Sequence, residues 1–248
     1  MRETLYGRQA VRESLRARRR DAFRLMLAEG TVSAPILDEI LELAQARRVP
    51  TARLSRNEME SFTGTSEHQG VALEASGYPY VDVDAMLEMA KTKGEAPLIV
   101  LLDLIQDVHN LGSLIRTAEA AGAHGLVLQS RRAAGITPAT VNTSSGAVEH
   151  LLVAQVANLS QEMEHLKAMQ LWIVGLEDVY GAQLYTSIDL TVPLGLVIGS
   201  EGEGLRRLVR ERCDILASLP MRGAINSLNA AVAGSIALYE ILRQRGKA

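Results

Sequence analysis

Three short stretches of the chain combine polar side chains with glycine or apolar residues in patterns that could do chemistry. They are NLGSLIRTAEAAG (110–122), GSEGEG (199–204) and NSLN (226–229), the last of which stands directly before an apolar segment. Asparagine and serine at such a position are typical helix caps, because their side-chain oxygens accept hydrogen bonds from the first free amides of a helix. The same side chains could instead hold a polar ligand. The NSLN stretch by itself leaves both interpretations open.

The chain has none of the short motifs that mark the common phosphate and metal sites. Residues 110–122 lack the G-x-G-x-x-G spacing of a dinucleotide-binding turn, and no stretch matches the P-loop pattern G-x-x-x-x-G-K-[ST]. The two acids in GSEGEG would repel a pyrophosphate. The histidines have no H-x-x-x-H or H-E-x-x-H spacing, and Cys213 is the single cysteine, so we expect no metal site and no disulfide within the chain.

The composition is that of a globular protein, since 47% of the 248 residues are hydrophobic and 22% are charged. The apolar runs are all shorter than the roughly 18 residues that a membrane span needs. The N-terminal segment MRETLYGRQAVRESLRARRR is charged throughout and lacks the apolar core of a secretory signal. We therefore expect a cytoplasmic protein with no membrane partner.

Positive charge is concentrated in residues 1–56, which carry 12 arginines and 7 acidic residues within a chain of net charge −3. Arg8, Arg12 and Arg16 recur every four residues, so a helix would align them on one face, and Arg19 extends the cluster. Such a stripe is typical of a surface that binds a nucleic-acid backbone. A solvated helix face has the same pattern, and charge alone does not separate the two.

Residues 1–76 alternate between short helical and strand patterns, which predicts a small α/β domain. The predicted helices are GRQAVRESLRAR, APILDEILELAQARR and NEMESFTG, with Asn57 as the cap of the third. The predicted strands are AFRLMLAEG, VPTARLS and GVALEAS. Gly77 and Pro79 indicate a connector, and residues 77–94 are assigned to a linker.

Residues 95–248 show a stronger rhythm, in which near-continuous apolar strands alternate with helices. The predicted strands are PLIVLLDL, GLVLQS, LWIVGLE, LGLVIGSE and DILASLP. The predicted helices are NLGSLIRTAEAAG, PATVNTSSG, NLSQEMEHLKAM, GLRRLVRERC and AAVAGSIALYEILRQR. This alternation predicts an α/β fold with a parallel sheet covered on both faces, in which ligand-binding residues follow the carboxyl ends of the strands.

The stretches NLGSLIRTAEAAG (110–122), LGLVIGSEGEGL (194–205) and LPMRGAINSLNAAVA (219–233) resemble the three ordered motifs of the SpoU family of RNA 2'-O-ribose methyltransferases, part of the SPOUT superfamily. The resemblance covers essentially the whole chain and is strongest to the bacterial enzymes that methylate a guanosine of 23S rRNA. It implies that residues 95–248 form a SpoU methyltransferase domain with a deep trefoil knot. It also implies that residues 1–76 form a substrate-binding domain of ribosomal-protein-like fold.

The resemblance implies that the cofactor is S-adenosyl-L-methionine, held between the loop after LVIG and the loop that leads into the last helix. By motif position, Gly199, Leu219 and Leu228 are expected to contact the cofactor through backbone groups and apolar side chains. Gly175, in the strand LWIVGLE, is expected to let the chain approach the cofactor closely.

The family's catalytic positions fall on Asn110, Arg116, Glu201, Ser227 and Asn229. Because a guanidinium group keeps its proton above about pH 12, we expect Arg116 to clamp a phosphate and stabilise developing negative charge rather than act as a general base. Asn110 is expected to cap the helix that follows and to orient Arg116 or the ribose. Glu201 is expected to accept a hydrogen bond from the target nucleotide or to hold Arg116. Ser227 and Asn229 are expected to bind ribose or phosphate.

The resemblance further implies a homodimer whose cofactor sites lie near the interface, and the arginine stripe would then guide RNA toward the site. Apolar residues of the last helix, such as Ile236 and Tyr239, offer a surface for dimer contact, although a buried core helix would look the same. The leading prediction is an RNA (guanosine-2'-O-)-methyltransferase that acts on 23S rRNA. The alternatives are methylation of tRNA, an antibiotic-resistance rRNA methylase, and a non-catalytic ribosome-assembly protein that binds RNA.

Overall fold

The computed structural model describes residues 2–225 and 227–246 and divides into two compact units. The first unit comprises the residues up to Pro79 together with Ile136–His150. The second comprises Tyr80–Gly135 together with the residues from Leu151 onward. Residues 136–150, which the sequence analysis assigned to the methyltransferase domain, therefore pack with the N-terminal unit.

Seven elements of the N-terminal segment build the first unit. They are β1 (Arg2–Tyr6), α1 (Arg8–Ala17), β2 (Ala22–Ala28), α2 (Pro35–Ala46), β3 (Thr51–Leu54), α3 (Arg56–Thr63) and β4 (Val71–Ser76). The sheet order is β1-β4-β2-β3, with β4 antiparallel to both neighbours and β2 parallel to β3. The predicted helices and strands of this segment are confirmed. Strand β1 was not predicted, because Leu5 is its single buried residue and no apolar alternation marks it.

Helix α3 begins after Ser55 rather than at the predicted cap. The Ser55 hydroxyl accepts a hydrogen bond from the Glu58 amide, and the Glu58 carboxylate accepts one from the Ser55 amide at 2.8 Å. This reciprocal pair is a capping box, which fixes the start of a helix by satisfying two free amides. The prediction of Asn57 as the cap is wrong, because Asn57 lies inside the first turn.

The remaining elements alternate along the chain as the apolar rhythm predicts. They are α4 (Val83–Lys93), β5 (Leu98–Asp103), α5 (Val108–Ala120), β6 (Gly125–Gln129), α6 (Pro138–Thr143), β7 (Leu152–Val156), α7 (Leu159–Ala168), β8 (Trp172–Leu176), β9 (Gln183–Leu184), β10 (Leu194–Gly199), α8 (Arg207–Arg212), β11 (Ile215–Ser218) and α9 (Ala230–Gln244). Helix α4 falls in the segment that was assigned to a linker. Strands β7 and β9 were not predicted.

The second unit is built on one seven-stranded sheet in the order β7-β6-β5-β10-β8-β11-β9. Every neighbouring pair is parallel, so the predicted α/β class with a parallel sheet is confirmed. Strands β5, β6 and β10 are buried along their whole length, as expected when helices cover both faces of a sheet. The trefoil knot implied by the resemblance stays a prediction.

Residues 136–150 connect to the first unit through α6 and a short 3-10 helix, Ala147–Glu149. Asn142 Nδ2 donates a hydrogen bond to the Tyr6 carbonyl at 3.3 Å. The Arg20 and Glu149 side chains are fully buried and form an ion pair at 2.9 Å. Burial raises the pKa of Glu149, while the charge of Arg20 opposes the rise. This pair holds two segments of the first unit that lie far apart in the sequence.

None of the helices in the described part of the chain has the length and apolarity to cross a bilayer.

Candidate active site

A cavity of about 630 Å³ lies at the carboxyl ends of three adjacent strands, β10, β8 and β11. Its apolar lining includes Leu176, Ile198 and Ala217, from the ends of those strands. Its polar lining comes mainly from the loop 199–204 and from residues 227–229. Because parallel strands end at one edge of the sheet, segments far apart in the sequence meet here. Two of the three motif stretches identified in the sequence therefore line one cavity.

The loop that follows β10 folds back on the strand at Gly199. Ser200 and Gly204 form a β-bridge, in which the Gly204 amide donates to the Ser200 carbonyl at 3.1 Å. A Cβ atom at position 199 would overlap the Gly204 carbonyl group. Glycine is therefore required at position 199 for the loop to close against the strand, and the closed loop presents Glu201 at the cavity.

Glu201 joins the remaining motif to this cavity. Asn110 Nδ2, from the first turn of α5, donates a hydrogen bond to Glu201 Oε1 at 2.5 Å. Asn229 Nδ2 donates to the same carboxylate oxygen, and also to Asn110 Oδ1 at 3.0 Å. Three predicted catalytic residues from three separate stretches thus form one hydrogen-bonded network, which we call the Asn110–Glu201–Asn229 network.

Asn229 also caps the last helix. Its Oδ1 accepts hydrogen bonds from the amides of Ala231 at 2.9 Å and Val232 at 3.2 Å, while its Nδ2 serves the network. Capping and participation in a polar site are therefore compatible, because one side-chain amide offers both an acceptor and donors. Ser227 is exposed and lines the cavity. Asn226 lies outside the described residues.

Asn110 does not cap the helix that contains it. The N-cap of α5 is Asp107, whose Oδ1 accepts a hydrogen bond from the Asn110 amide at 2.8 Å. The prediction that Asn110 is the cap is wrong. Asn110 stands three residues inside the helix, which leaves its side chain available for Glu201 and Asn229.

Arg116 lies on the exposed side of α5 and is not among the residues that line the cavity. It is six residues beyond Asn110, which corresponds to about 9 Å along the helix axis and an angle of about 120° between the two side chains around that axis. The structure therefore brings Asn110, Glu201, Ser227 and Asn229 to one place. Arg116 lies away from them, farther along the helix that contains Asn110.

The four predicted cofactor-contacting residues are divided by the structure. Gly199, Leu219 and Leu228 line the cavity, whereas Gly175 does not. A Cβ atom at Gly175 would lie 2.7 Å from both Cys213 Sγ and Leu205 Cδ1, so this glycine accommodates core side chains. Burial and neighbouring acids raise the pKa of Cys213 to about 12, which keeps it a thiol at neutral pH and a poor nucleophile.

Sequence reasoning missed two acidic residues at the end of β8. Glu177 and Asp178 line the cavity, and the Arg210 guanidinium forms a bidentate ion pair with Glu177. The available signal was their position directly after a predicted strand, where ligand-binding residues of a parallel sheet are expected. Because Arg210 offsets the charge of Glu177, Asp178 supplies the net negative charge on this side of the cavity.

A second missed pair holds the far end of the loop 199–206. Asp103, the last residue of β5, is fully buried, and its carboxylate accepts hydrogen bonds from the Arg206 amide at 2.9 Å and from Arg206 Nε at 2.7 Å. Arg206 Nη2 also donates to Gln129 Oε1 at 3.1 Å. The loop that carries Glu201 is therefore fixed at one end by Gly199 and at the other by Asp103.

Three arginines of the stripe lie on helix α1, and Arg19 follows the helix. The side chain of each of the four contacts another residue of the same chain. Arg12 and Arg16 form ion pairs with Glu13 and Glu39. The other two members bind outside the helix: Arg8 Nε donates to the Gln69 carbonyl at 3.1 Å, and Arg19 Nη1 donates to the Tyr78 hydroxyl at 2.9 Å. The carboxylates of α1 and α2 offset part of the positive charge that the sequence places on this face.

In the described parts of the chain, 2–225 and 227–246, no group of three or more His, Cys, Asp or Glu side chains could hold a metal ion.

Family models match both parts of the chain. Residues 97–239 match the SpoU rRNA Methylase family, which is more than half of the chain. The chain belongs to the SpoU rRNA methylase family. Residues 4–81 match a second model, RNA 2'-O ribose methyltransferase substrate binding, so this family member carries the family's substrate-binding domain as well.

A curated relative and two solved structures agree with the family. A putative TrmH family tRNA/rRNA methyltransferase of Bacillus subtilis is 41% identical over 96% of this chain and 94% of that protein. The crystal structure of the SpoU methyltransferase AviRb from Streptomyces viridochromogenes, in complex with the cofactor AdoMet, matches with a TM-score of 0.82 and 26% identity over 100% of this chain and 92% of that one. An AdoMet-bound rRNA methyltransferase from Sinorhizobium meliloti matches with a TM-score of 0.79 and 25% identity over 98% and 87% of the two chains.

Proposed function

We propose that this SpoU family member is an S-adenosyl-L-methionine-dependent RNA 2'-O-ribose methyltransferase that modifies a guanosine of 23S rRNA. The Asn110–Glu201–Asn229 network beside the cavity carries the proposal, because it joins polar residues of all three family motifs where a ligand would meet them. A protein that only binds RNA has no need of such a convergent polar set.

The cavity suits S-adenosylmethionine in chemistry and in size. Its volume of about 630 Å³ lies within the usual range of cofactor sites. Leu176, Leu219 and Leu228 offer apolar contact for an adenine ring. The acidic side chain of Asp178 complements the positive charge of a sulfonium group. When bound, the cofactor supplies an electrophilic methyl group that faces nucleophilic attack by an oxygen atom.

The chain's own residues would position the ribose hydroxyl and manage charge. Asn110 and Asn229 hold the Glu201 carboxylate in one orientation, in which a free lone pair can accept the hydrogen bond of a ribose hydroxyl. Ser227, at the cavity, would bind the ribose or its phosphate. Arg116 would clamp an RNA phosphate and stabilise negative charge, a role that fits its position outside the cavity lining.

The substrate-binding match over residues 4–81 supports an RNA substrate. The match to the SpoU rRNA Methylase family and the likeness to an rRNA methyltransferase from Sinorhizobium meliloti favour rRNA. The name of the Bacillus subtilis relative includes tRNA, so tRNA is the second candidate. We propose that the first unit binds RNA through Arg8, Arg12, Arg16 and Arg19, and that the protein acts in the cytoplasm.

We also propose a homodimer. Helix α9 exposes Val232, Ile236 and Tyr239, and Leu228 precedes it with 40% of its surface exposed. Residues 232, 236 and 239 follow the spacing of one helix face, so they form an apolar surface that a second copy would cover. Closed dimers of this kind bring the same surface together from both copies.

The direct test supplies methyl-labelled S-adenosylmethionine with undermodified 23S rRNA or with tRNA, and maps the nucleotides that resist alkaline cleavage. We expect label at a guanosine of 23S rRNA. Label in tRNA alone would overturn the rRNA assignment, and cofactor binding without transfer to any RNA would favour an assembly protein. Arg116→Ala is expected to abolish transfer and to spare cofactor affinity, and loss of both would mean that Arg116 is structural.

A further inference from the structure

A second cavity lies on the same edge of the parallel sheet as the proposed cofactor site, at the ends of β6 and β7. Its volume is about 550 Å³, and its polar lining consists of Gln129, Asn158, Ser160, Arg206 and Arg207, which we call the arginine cavity. We propose that the arginine cavity binds a backbone phosphate of the RNA substrate next to the target nucleotide. This inference rests on the proposed function and extends it to a specific contact.

The charge of the arginine cavity favours an anion. Two arginines line it and no acidic residue does, among the part of the chain that the structure describes. A neighbouring cavity of about 490 Å³ has the opposite character, since Asp82, Asp84 and Glu162 line it. The two cavities have similar volumes but opposite charge, so the arginine cavity suits a phosphate and the acidic cavity would repel one.

The two arginines of this cavity differ in how they are held. Arg206 is fixed by Asp103 and Gln129, so its guanidinium has one orientation while 41% of the side chain stays exposed. Arg207 is 80% exposed, and its nearest carboxylate, on Glu211, is 3.7 Å away. A fixed guanidinium next to an exposed one is an arrangement that can accept a phosphate without a large rearrangement.

Neutral donors of the arginine cavity point to the same ligand. Gln129 is 93% buried, and its Oε1 accepts a hydrogen bond from Arg206. Its Nε2 has no hydrogen-bond partner among residues 2–225 and 227–246. Helix α7 begins at the cavity, where the Asn158 side chain accepts from the Gln161 amide and the preceding amides remain available. A phosphate oxygen would satisfy both kinds of donor.

The spacing of the two sites suits neighbouring nucleotides of one strand. Strand β10, which ends at Gly199, is separated from β6, which ends at Gln129, by the single strand β5. Two strand spacings correspond to about 10 Å. Residues Gly204 to Arg206 connect the two cavities, so a backbone that enters the first can continue into the second.

The test measures binding of a labelled single-stranded RNA as a function of salt, with the full chain. Arg207→Ala removes an exposed charge from the cavity, and Ala157→Glu adds a carboxylate at an exposed position in its lining. Arg212→Ala is the matched control, because it removes the same charge from the other end of α8, where Arg212 pairs with Glu164. S-adenosylmethionine affinity and the Tm report whether each variant keeps its fold.

We expect Arg207→Ala and Ala157→Glu to weaken RNA binding by about tenfold, and Arg207→Ala to reduce the slope of log Kd against log salt by about 0.7, the value for one phosphate contact on a single strand. The Arg212→Ala control should bind as the wild type does. RNA affinity in both cavity variants equal to that of the control would overturn the proposal and leave the proposed function standing. A loss of affinity in both, with no methyl transfer by the wild type, would support the cavity and contradict the proposed function.

Discussion

Asn229 donates a hydrogen bond to Asn110 at 3.0 Å, although 119 positions separate the two residues in the sequence. Both side-chain amides also donate to Glu201, which lies in a third segment of the chain, the loop after β10. The carboxylate thus depends for its orientation on one residue inside α5 and on another that caps α9.

The first prediction concerns Glu201→Gln. The glutamine oxygen can still accept from both asparagine amides, but an NH2 group replaces the other carboxylate oxygen and the negative charge is lost, so the site loses the acceptor that we assign to the ribose hydroxyl. We expect methyl transfer to fall by about a hundredfold, as is usual when one electrostatic group of an active site is removed. The rate is measured with saturating S-adenosylmethionine and RNA.

Glu203→Gln is the control for that variant, since Glu203 stands in the same loop and lines the same cavity but is not part of the Asn110–Glu201–Asn229 network. We expect its transfer rate to stay close to that of the wild type. Equal losses in the two variants would show that the negative charge of the loop matters and that the network does not.

The second prediction concerns Gly199→Ala. The added Cβ would overlap the Gly204 carbonyl, so the loop 200–204 would have to move away from β10. We expect a loss of about 1–3 kcal/mol in the free energy of unfolding, typical of overpacking, together with weaker S-adenosylmethionine binding by calorimetry. Gly135→Ala serves as the control, because its Cβ would meet only Tyr80 Oη, at 3.7 Å. Unchanged cofactor affinity in Gly199→Ala would contradict the role given to the loop.

The third prediction compares the loss of unfolding free energy in two variants, each of which removes one partner of the Asp103–Arg206 ion pair. Arg206→Ala leaves the fully buried Asp103 carboxylate without its guanidinium partner, which costs about 3–5 kcal/mol for a buried charge. Asp103→Ala leaves a guanidinium that is 41% exposed and that water can solvate, so we expect a smaller loss of about 1–3 kcal/mol. Urea unfolding of both variants measures the difference, and the reverse order would contradict the buried state of Asp103.

The fourth prediction concerns acid stability. Hydrogen bonds from Arg243 and Gln244 lower the pKa of Glu240 from its usual 4.5 to about 2. A carboxylate whose folded pKa is lowered stabilises the fold above its unfolded pKa, and that contribution disappears as the pH falls from about 4.5 toward 2. Glu240→Gln should therefore destabilise the protein at neutral pH and reduce the loss of stability on acidification.

Urea unfolding at neutral pH and at about pH 3 tests this, with Glu88→Gln as the control for an exposed glutamate on α4, 3.7 Å from Lys91. The control should leave the pH dependence of the unfolding free energy unchanged. An identical pH dependence in wild type and Glu240→Gln would rule out the proposed origin of the acid sensitivity.

The amino-acid sequence determined most elements of both units, because apolar periodicity reports which face of a helix or strand is buried. Stretches such as PLIVLLDL and LGLVIGSE are almost continuously apolar, and both form buried central strands, β5 and β10. The strands that escaped prediction, β1, β7 and β9, are short and have at most two buried residues each, so they carry little apolar signal. The motif stretches indicated the family, which the family models confirm.

Capping was predicted less well than the elements themselves. Asn57 and Asn110 are good cap residues by type, but Ser55 and Asp107 occupy the cap positions. Several residues near the start of each helix are able to cap it. The backbone geometry selects one of them, and residue type alone does not determine that geometry.

Only the tertiary structure decided which side chains meet. Asn110, Glu201 and Asn229 converge because the segments that follow β5, β10 and β11 meet at one edge of the sheet, in which the strand order is β5-β10-β8-β11. Local periodicity does not encode the order of strands in a sheet. The same holds for Asp103 with Arg206, for Glu177 in the cavity, and for Glu39 of α2, which pairs with the arginines of α1. The sequence by itself determined most of the helices and strands and the family to which the chain belongs. Contacts between residues that are distant in the sequence depend on the packing of the whole sheet and its helices, so only the folded structure reveals them.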